Sequence, residues 1–160
     1  MDDLYLLAEA VVSEAARRGL TLATAESLTA GLIAATIADV PGASKTLKGG
    51  IVSYAFAVKR EVLGVRGIGE DQAVSESCAM QMAAGVHRKL RADIAVSATG
   101  VAGPDGGSEQ TPVGTVWIGC ACGETLKARE HHFAGDRQAV RRETVRQALQ
   151  TILNCMKGGQ

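Results

Sequence analysis

The chain has 160 residues, 46% apolar and 21% charged, with 17 Lys plus Arg balanced by 17 Asp plus Glu. This length suits one domain with a substantial core, and the composition excludes a disordered or fibrous chain. A formal net charge of zero argues against a nucleic-acid surface built on bulk charge, and the aromatics Tyr5, Tyr54, Phe56, Trp117 and Phe133 are too few for base stacking. No apolar run reaches membrane-spanning length, and Met1-Asp2-Asp3 lacks the positive start of a signal peptide. Cys78, Cys120, Cys122 and Cys155 form no C-x-x-C and no zinc-finger spacing with His, so no metal site is expected. Cys120 and Cys122 read as small buried residues on one strand face, in a reducing cytoplasmic setting.

Leu4, Leu7, Ala8, Val11, Val12 and Ala15 recur at helical spacing, and Gly19 ends that first helix. Residues 20–25 read as a strand, and 29–38 as a helix of small residues stopped by Pro41-Gly42. That helix can face a partner subunit in a homo-oligomer or pack on the sheet. Residues 50–54 form a second strand that leads into a short helix carrying Lys59 and ending near Gly64. Ser75 is placed to cap a long helix with Ala79, Met82, Ala83, Val86 and Leu90 on one face. Residues 93–98 are a third strand, followed by a glycine-rich loop from Gly100 to Pro112. Residues 113–122 and 126–133 form a hairpin about Gly123-Glu124, and Asp136 caps a last helix whose stripe is Val145, Ala148, Leu149, Ile152, Leu153 and Met156. The alternation predicts a single three-layer α/β/α domain, residues 1–160, with a mixed sheet.

Thr24-Ala25-Glu26-Ser27-Leu28-Thr29-Ala30-Gly31 lies where the first strand gives way to a helix, the sheet edge at which open α/β folds place ligands. A serine there can be a helix cap or a nucleophile, and a nucleophile needs a base. His87 sits on a helix beside its apolar stripe, and His131 and His132 point to opposite faces of a strand, so a Ser-His-Asp arrangement is poorly supported. Lys59 follows the second strand and reaches the same edge, which allows a Ser-Lys pair. Acting as a base requires its pKa to fall from about 10.4 toward about 7–8. Spacing alone favours the ordinary alternatives, an N-cap for Ser27 and a solvated helix lysine for Lys59.

Two further features accompany that pair. Thr99-Gly100-Val101-Ala102-Gly103-Pro104-Asp105-Gly106-Gly107-Ser108 can bring backbone N–H groups close to an anion, although it is neither a P-loop nor a G-x-G-x-x-G motif. Arg137 and Arg141, one turn apart after Gly135-Asp136, can hold a phosphate or form a solvated basic face.

Together these strings resemble the C-terminal domain family of the competence/damage-inducible protein CinA. The resemblance rests on Thr24-Ala25-Glu26-Ser27; Gly49-Gly50-Ile51-Val52-Ser53-Tyr54 with Lys59; Leu63-Gly64-Val65; and Ala73-Val74-Ser75. The glycine loop from Thr99 to Gly107, Thr111-Pro112-Val113-Gly114 and Gly135-Asp136-Arg137 with Val140-Arg141 continue it in order over nearly the whole chain. Stand-alone members of that family are nicotinamide-nucleotide amidohydrolases that use a Ser/Lys dyad and no metal. The resemblance implies Ser27 as nucleophile, Lys59 as base and no cofactor. It implies a small-molecule nucleotide substrate held among Glu26, Thr29, Gly31, Tyr54, Thr99, Gly100, Gly103, Gly106, Gly107, Arg137 and Arg141. It implies no nucleic-acid or membrane partner. In larger members a pyrophosphatase-like domain precedes this one, and 160 residues leave no room for it. The chain departs from the family's Ala-Glu-Ser-Cys-Thr-Gly-Gly at Leu28 and Ala30, and from its Tyr-Ser-Asn or Tyr-Thr-Asn at Ala55 and Phe56. Those departures motivate an alternative, a domain that binds a nucleotide without turnover and serves regulation or assembly.

Overall fold

The computed structural model describes residues 2–158. Helix α1, Asp3–Arg18, is capped by the Asp2 carboxylate on the Leu4 N–H and ends at left-handed Gly19. Strand β1 is Leu22–Glu26, α2 is Leu32–Ala38, β2 is Leu47–Val52 and α3 is Phe56–Leu63. Helix α4, Glu76–Leu90, starts at Ser75, whose hydroxyl accepts from the Cys78 N–H. Strand β3 is Ile94–Gly100, and the β4–β5 hairpin is Thr115–Cys122 and Thr125–His132. Helix α5, Arg137–Met156, starts at Asp136, whose carboxylate accepts from the Ala139 N–H.

The sheet order is β2-β1-β3-β4-β5, with β1 parallel to both β2 and β3 and the hairpin antiparallel. Even-numbered β1 and β3 residues such as Leu22, Ile94 and Val96 pack into one core with α1, α2 and α5. Odd-numbered Ala23, Ala25 and Ala95 face a second core built from α3 and α4. Ala and Gly dominate this second face because α4 lies close: a Cβ on Gly119 would sit 2.5 Å from the Ala79 carbonyl. The predicted mixed three-layer architecture is therefore present, and the α5 stripe is buried throughout.

Three features differ from expectation: strand β2 spans Leu47–Val52 rather than 50–54, so Tyr54 lies past its end. Helix α2 starts three residues later than the pattern suggested, because Ala30 (φ 50°) and Gly31 (φ 97°) take left-handed conformations and no helix runs through them. Its Ile33, Thr36 and Ile37 are buried, and the helix packs on β1 and β2 with that face. Cys120 is buried as expected, whereas the Cys122 sulfur meets that of Cys155, tying β4 to α5. Among the described residues no helix is long and apolar enough to cross a membrane.

The chain leaves β1 toward β2 over one face of the sheet and reaches β3 over the other. The carboxyl ends of β1 and β3 thus flank a topological switch point, the crevice where such sheets bind ligands. Ser27 and Thr99 stand at that crevice.

Candidate active site

Glu26 ends β1 and is 1% exposed. Its Oε1 accepts from the N–H groups of Gly31 (3.1 Å) and Ile33 (2.8 Å), and its Oε2 from the Ala34 N–H (2.9 Å) and the Thr24 hydroxyl (3.0 Å). Four donors thus occupy the carboxyl group, which caps α2 from inside the protein. Thr24 can reach it because its neighbour on β2 is Gly50, where a Cβ would overlap the Thr24 hydroxyl. Glu26 is therefore a buried helix anchor and has no lone pair turned toward a substrate. Gly31, expected to bind substrate, has its N–H committed to Glu26 in the same way.

Ser27 does not cap α2, whose N-cap is Gly31. Its N–H bonds the Ala98 carbonyl at 3.0 Å, which pins the residue to the end of β3. The side chain is 8% exposed, and its Oγ lies 2.8 Å from Lys59 Nζ. Lys59 is not a solvated helix lysine either, at 2% exposed on the inner side of α3. Its Nζ also donates to the carbonyls of Ser53 (2.8 Å) and Tyr54 (3.0 Å). No ion pair among the described residues includes it. Burial holds its pKa below the ordinary 10.5, while the fields of Cys78 and Glu70 pull the other way. The three tetrahedral positions of Nζ face the two carbonyls and the Ser27 oxygen; as an ammonium it donates to all three, and on losing one proton it keeps the carbonyl bonds and turns its lone pair to the serine hydroxyl.

The turn after Ser27 presents two N–H groups, those of Leu28 and Thr29, with no acceptor among the described residues. Arg141 braces the other side of this turn. Its Nε donates to the Leu28 carbonyl (2.9 Å) and an Nη to the Thr29 carbonyl (3.2 Å). A trans peptide directs its C=O and N–H oppositely, so holding the Leu28 carbonyl aims the Thr29 N–H away from Arg141. The Leu28 side chain, 3% exposed, belongs to the core beside α1, α2 and α5, on the face away from Lys59. Phe56 packs against the second core, with the Arg60 guanidinium 5.9 Å over its ring.

Arg137 and Arg141 separate, although their spacing suggested one anion-binding face. Arg137 donates to the Gly103 carbonyl (2.6 Å) and to the Tyr54 hydroxyl (2.8 Å), linking α5, the glycine loop and the end of β2. Thr99 is buried, and its hydroxyl donates to the Ala73 carbonyl at 2.7 Å, holding the approach to α4 against β3. The loop folds back on its own hairpin. A Cβ on Gly100 would lie 2.7 Å from the Thr115 carbonyl, and one on Gly107 2.7 Å from the Val113 nitrogen. Packing therefore explains the glycines at 100 and 107; Gly106 keeps a left-handed φ of 93° at the exposed tip.

Sequence reasoning did not single out the Ser53 and Tyr54 carbonyls, which orient Lys59; main-chain acceptors leave no trace in residue identity. Nor did it find Gly85, where a Cβ would overlap the Leu63 carbonyl at the end of the helix carrying Lys59. Among the described residues the hydroxyls of Thr29 and Ser53 are buried without a hydrogen-bond partner. A cavity of about 550 Å3 between β5, α4 and α5 lies away from Ser27. Among the described residues no group of three His, Cys, Asp or Glu side chains gathers as a metal cradle.

Comparison with known proteins gives the same frame. The nicotinamide-nucleotide amidohydrolase PncC of Escherichia coli K12 is 46% identical over 154 residues, spanning 94% of this chain and 93% of that protein. A CinA-like protein of Dictyoglomus thermophilum is 46% identical over 145 residues, 89% of this chain but 35% of its own length. The crystal structure of the competence/damage inducible protein CihA from Agrobacterium tumefaciens matches with a TM-score of 0.91 and 35% identity, covering 97% of this chain and 96% of that one. A CinA superfamily protein from Klebsiella pneumoniae matches with a TM-score of 0.91 and 33% identity, covering 98% and 99%. The model of the CinA C-terminal domain matches residues 5–156, and the chain belongs to that family.

Proposed function

We propose that this protein is a cytoplasmic amidohydrolase that converts nicotinamide mononucleotide to nicotinate mononucleotide and ammonia, with Ser27 as nucleophile and Lys59 as base. The observation that carries the reading is the buried Ser27–Lys59 contact of 2.8 Å, with the amine oriented by two carbonyls. The printed activity of the 46% identical relative supplies the substrate. Neutral Lys59 takes the Ser27 proton as Oγ attacks the carboxamide carbon. The oxyanion forms against the Leu28 and Thr29 N–H groups, which the Arg141 bonds hold in place before the reaction. Lys59 then gives its proton to the amide nitrogen, the C–N bond breaks and ammonia leaves. Water attacks the resulting ester, passing a proton to Lys59. The carboxylate product departs as Lys59 returns that proton to Ser27.

Tyr54 lines the pyridine ring in this reading. Gly103, the loop tip at Gly106 and Arg137 border the rest of the nucleotide; Glu26 and Thr99 contribute as anchors of the elements that frame the site. The direct test measures ammonia released from nicotinamide mononucleotide by purified protein. Ser27→Ala is expected to abolish release while leaving nucleotide binding largely intact. A Ser27→Ala protein with near-normal turnover refutes the assignment of the nucleophile. Binding by the wild type with no ammonia formed favours the non-catalytic alternative.

A further inference from the structure

Helix α5 packs on β3 and β4 and stops short of β5, whereas α4 packs against β5 from the other face of the sheet. The α5 side of this edge strand is therefore open, and strand pairing shows which side chains stand there. Lys127 lies opposite Cys120 and Arg129 opposite Ile118, and residues opposed in an antiparallel pair share a face. Ile118 and Cys120 belong to the core beneath α5, so Lys127 and Arg129 project over that side. Burial pushes the Cys120 thiol up to about 11, with the Lys127 charge pulling the other way, which agrees with this placement. The cavity of about 550 Å3 lies between this strand and the flank of α5.

Its floor is apolar, formed by buried Ile118 and Cys120. Its α5 wall is polar and uncharged. The Thr151 hydroxyl is spent on the Gln147 carbonyl, and Asn154 accepts from Gln150 through its amide oxygen, which leaves the Asn154 NH2 for a ligand. Neither Lys127 nor Arg129 enters an ion pair among the described residues. Glu76, on the α4 side of the strand, is the one carboxylate among the described residues that line the cavity. The volume falls in the range of about 300–1,000 Å3 that takes drug-sized ligands. An apolar floor with two cations on one rim complements an anion that carries an apolar ring body. The same rim disfavours a second copy as occupant. A two-fold that extended the sheet through β5 would set Lys127 and Arg129 against the same row of the other copy, like charge opposite like charge.

We propose that the cavity between β5 and α5 is a second ligand site, separate from the Ser27 cleft, and that its ligand is a small organic anion with an apolar ring body. Lys127 and Arg129 hold the anionic group, the ring lies on Ile118 and Cys120, and the Asn154 NH2 donates to a polar substituent. Helix α5 thus serves two sites: Arg141 braces the Ser27 turn, and the flank carrying Thr151 and Asn154 walls this cavity. The inference is independent of the reaction assigned to Ser27.

The test is fluorescence titration of the wild-type protein with 8-anilinonaphthalene-1-sulfonate and, separately, with N-phenyl-1-naphthylamine, the same ring system without the sulfonate. The sulfonate is expected to bind saturably and at least about tenfold more tightly than the neutral dye, a preference that added salt reduces. The double variant Lys127→Ala/Arg129→Ala is expected to bind the sulfonate about tenfold more weakly and the neutral dye within a few-fold of wild type. Both positions are exposed on an edge strand, and circular dichroism checks that the fold is kept. Thr151→Trp places a ring in the cavity and is expected to abolish binding of both dyes. Absence of saturable binding, equal affinity for the two dyes, or sulfonate binding unchanged in the double variant each overturns the proposal.

Discussion

Replacing Glu26 by Gln takes one acceptor oxygen from a carboxyl group that serves four donors. The amide NH2 is best placed at the Oε2 position, where the Thr24 hydroxyl can rotate from donor to acceptor. The amide oxygen then keeps the Gly31 and Ile33 N–H groups. The Ala34 N–H, bonded at 2.9 Å in the parent, is left facing an NH2 group. Losing a hydrogen bond to a charged acceptor costs about 1.5–3 kcal/mol. Losing the negative charge at the start of α2 adds about 0.3–1 kcal/mol. The sum, about 2–4 kcal/mol, corresponds to a fall in Tm of roughly 4–16 °C for a chain of this size. Thermal unfolding followed by circular dichroism measures it. Thr24→Val in the Gln background removes the rescuing acceptor and is expected to lower stability further, by about 1 kcal/mol. A Glu26→Gln protein that melts within about 1 °C of wild type refutes the reasoning, because the four-donor cap would then carry no net stability.

Lys59 sets a pH dependence with a definite sign. Its folded pKa lies below 10.5, so between the two values the unfolded chain holds a proton that the folded chain has released, and its contribution to stability rises with pH across that window. With Lys59 as the proposed base, kcat/KM is expected to rise with pH along a one-proton limb whose pKa lies below 10.5; a limb at or above that value in initial-rate profiles refutes a neutral Lys59 base. Gly85→Ala forces the α4 backbone away from the Leu63 carbonyl and so displaces α3. The packing cost is about 1–3 kcal/mol, and turnover is expected to fall at least about tenfold in protein that remains folded at the assay temperature. Unchanged kcat would show that α3 does not transmit the shift to Lys59. Ala30→Gly relieves a left-handed alanine at φ 50°. Strain relief of about 1–2 kcal/mol against an entropic loss of about 0.4–1 kcal/mol predicts a net gain of roughly 0–1.6 kcal/mol, read as a raised urea midpoint.

How much of this was legible in the sequence depended on whether the signal was periodic, positional or spatial. Periodicity placed the α1, α4 and α5 stripes correctly, because each follows from which face is apolar. Position placed Ser27 and Lys59 at one sheet edge, since both lie just past the ends of parallel strands that pair directly. The start of α2 was misjudged because an alanine carries no mark of a left-handed φ; Gly31, a poor helix former, was the one local sign of a break.

The roles of Glu26 and the two arginines required spatial information. Glu26 next to a candidate nucleophile resembles a substrate contact in any one-dimensional reading. What turns it inward is Gly50 on the adjacent strand, which leaves room for Thr24 to reach it from the same side as the α2 start. Arg137 and Arg141 are one turn apart and read as a single anion site, yet the Ser27 turn and the glycine loop approach α5 at different heights and claim one arginine each. The same placement bears on the family departures. Leu28 sends its side chain into the core on the opposite face from Lys59. Phe56 lies under Arg60 against the second core, one residue past the Ala55 that caps α3. A substitution adjacent in sequence changes a site only when its side chain shares the cleft, and among the four departures Ala30 alone takes a left-handed backbone conformation, in the turn that presents the Leu28 and Thr29 N–H groups. Ala30→Gly therefore separates two effects. A gain in stability with unchanged kcat places the strain outside the chemistry, whereas a changed kcat locates it in the turn that holds the Leu28 and Thr29 N–H groups.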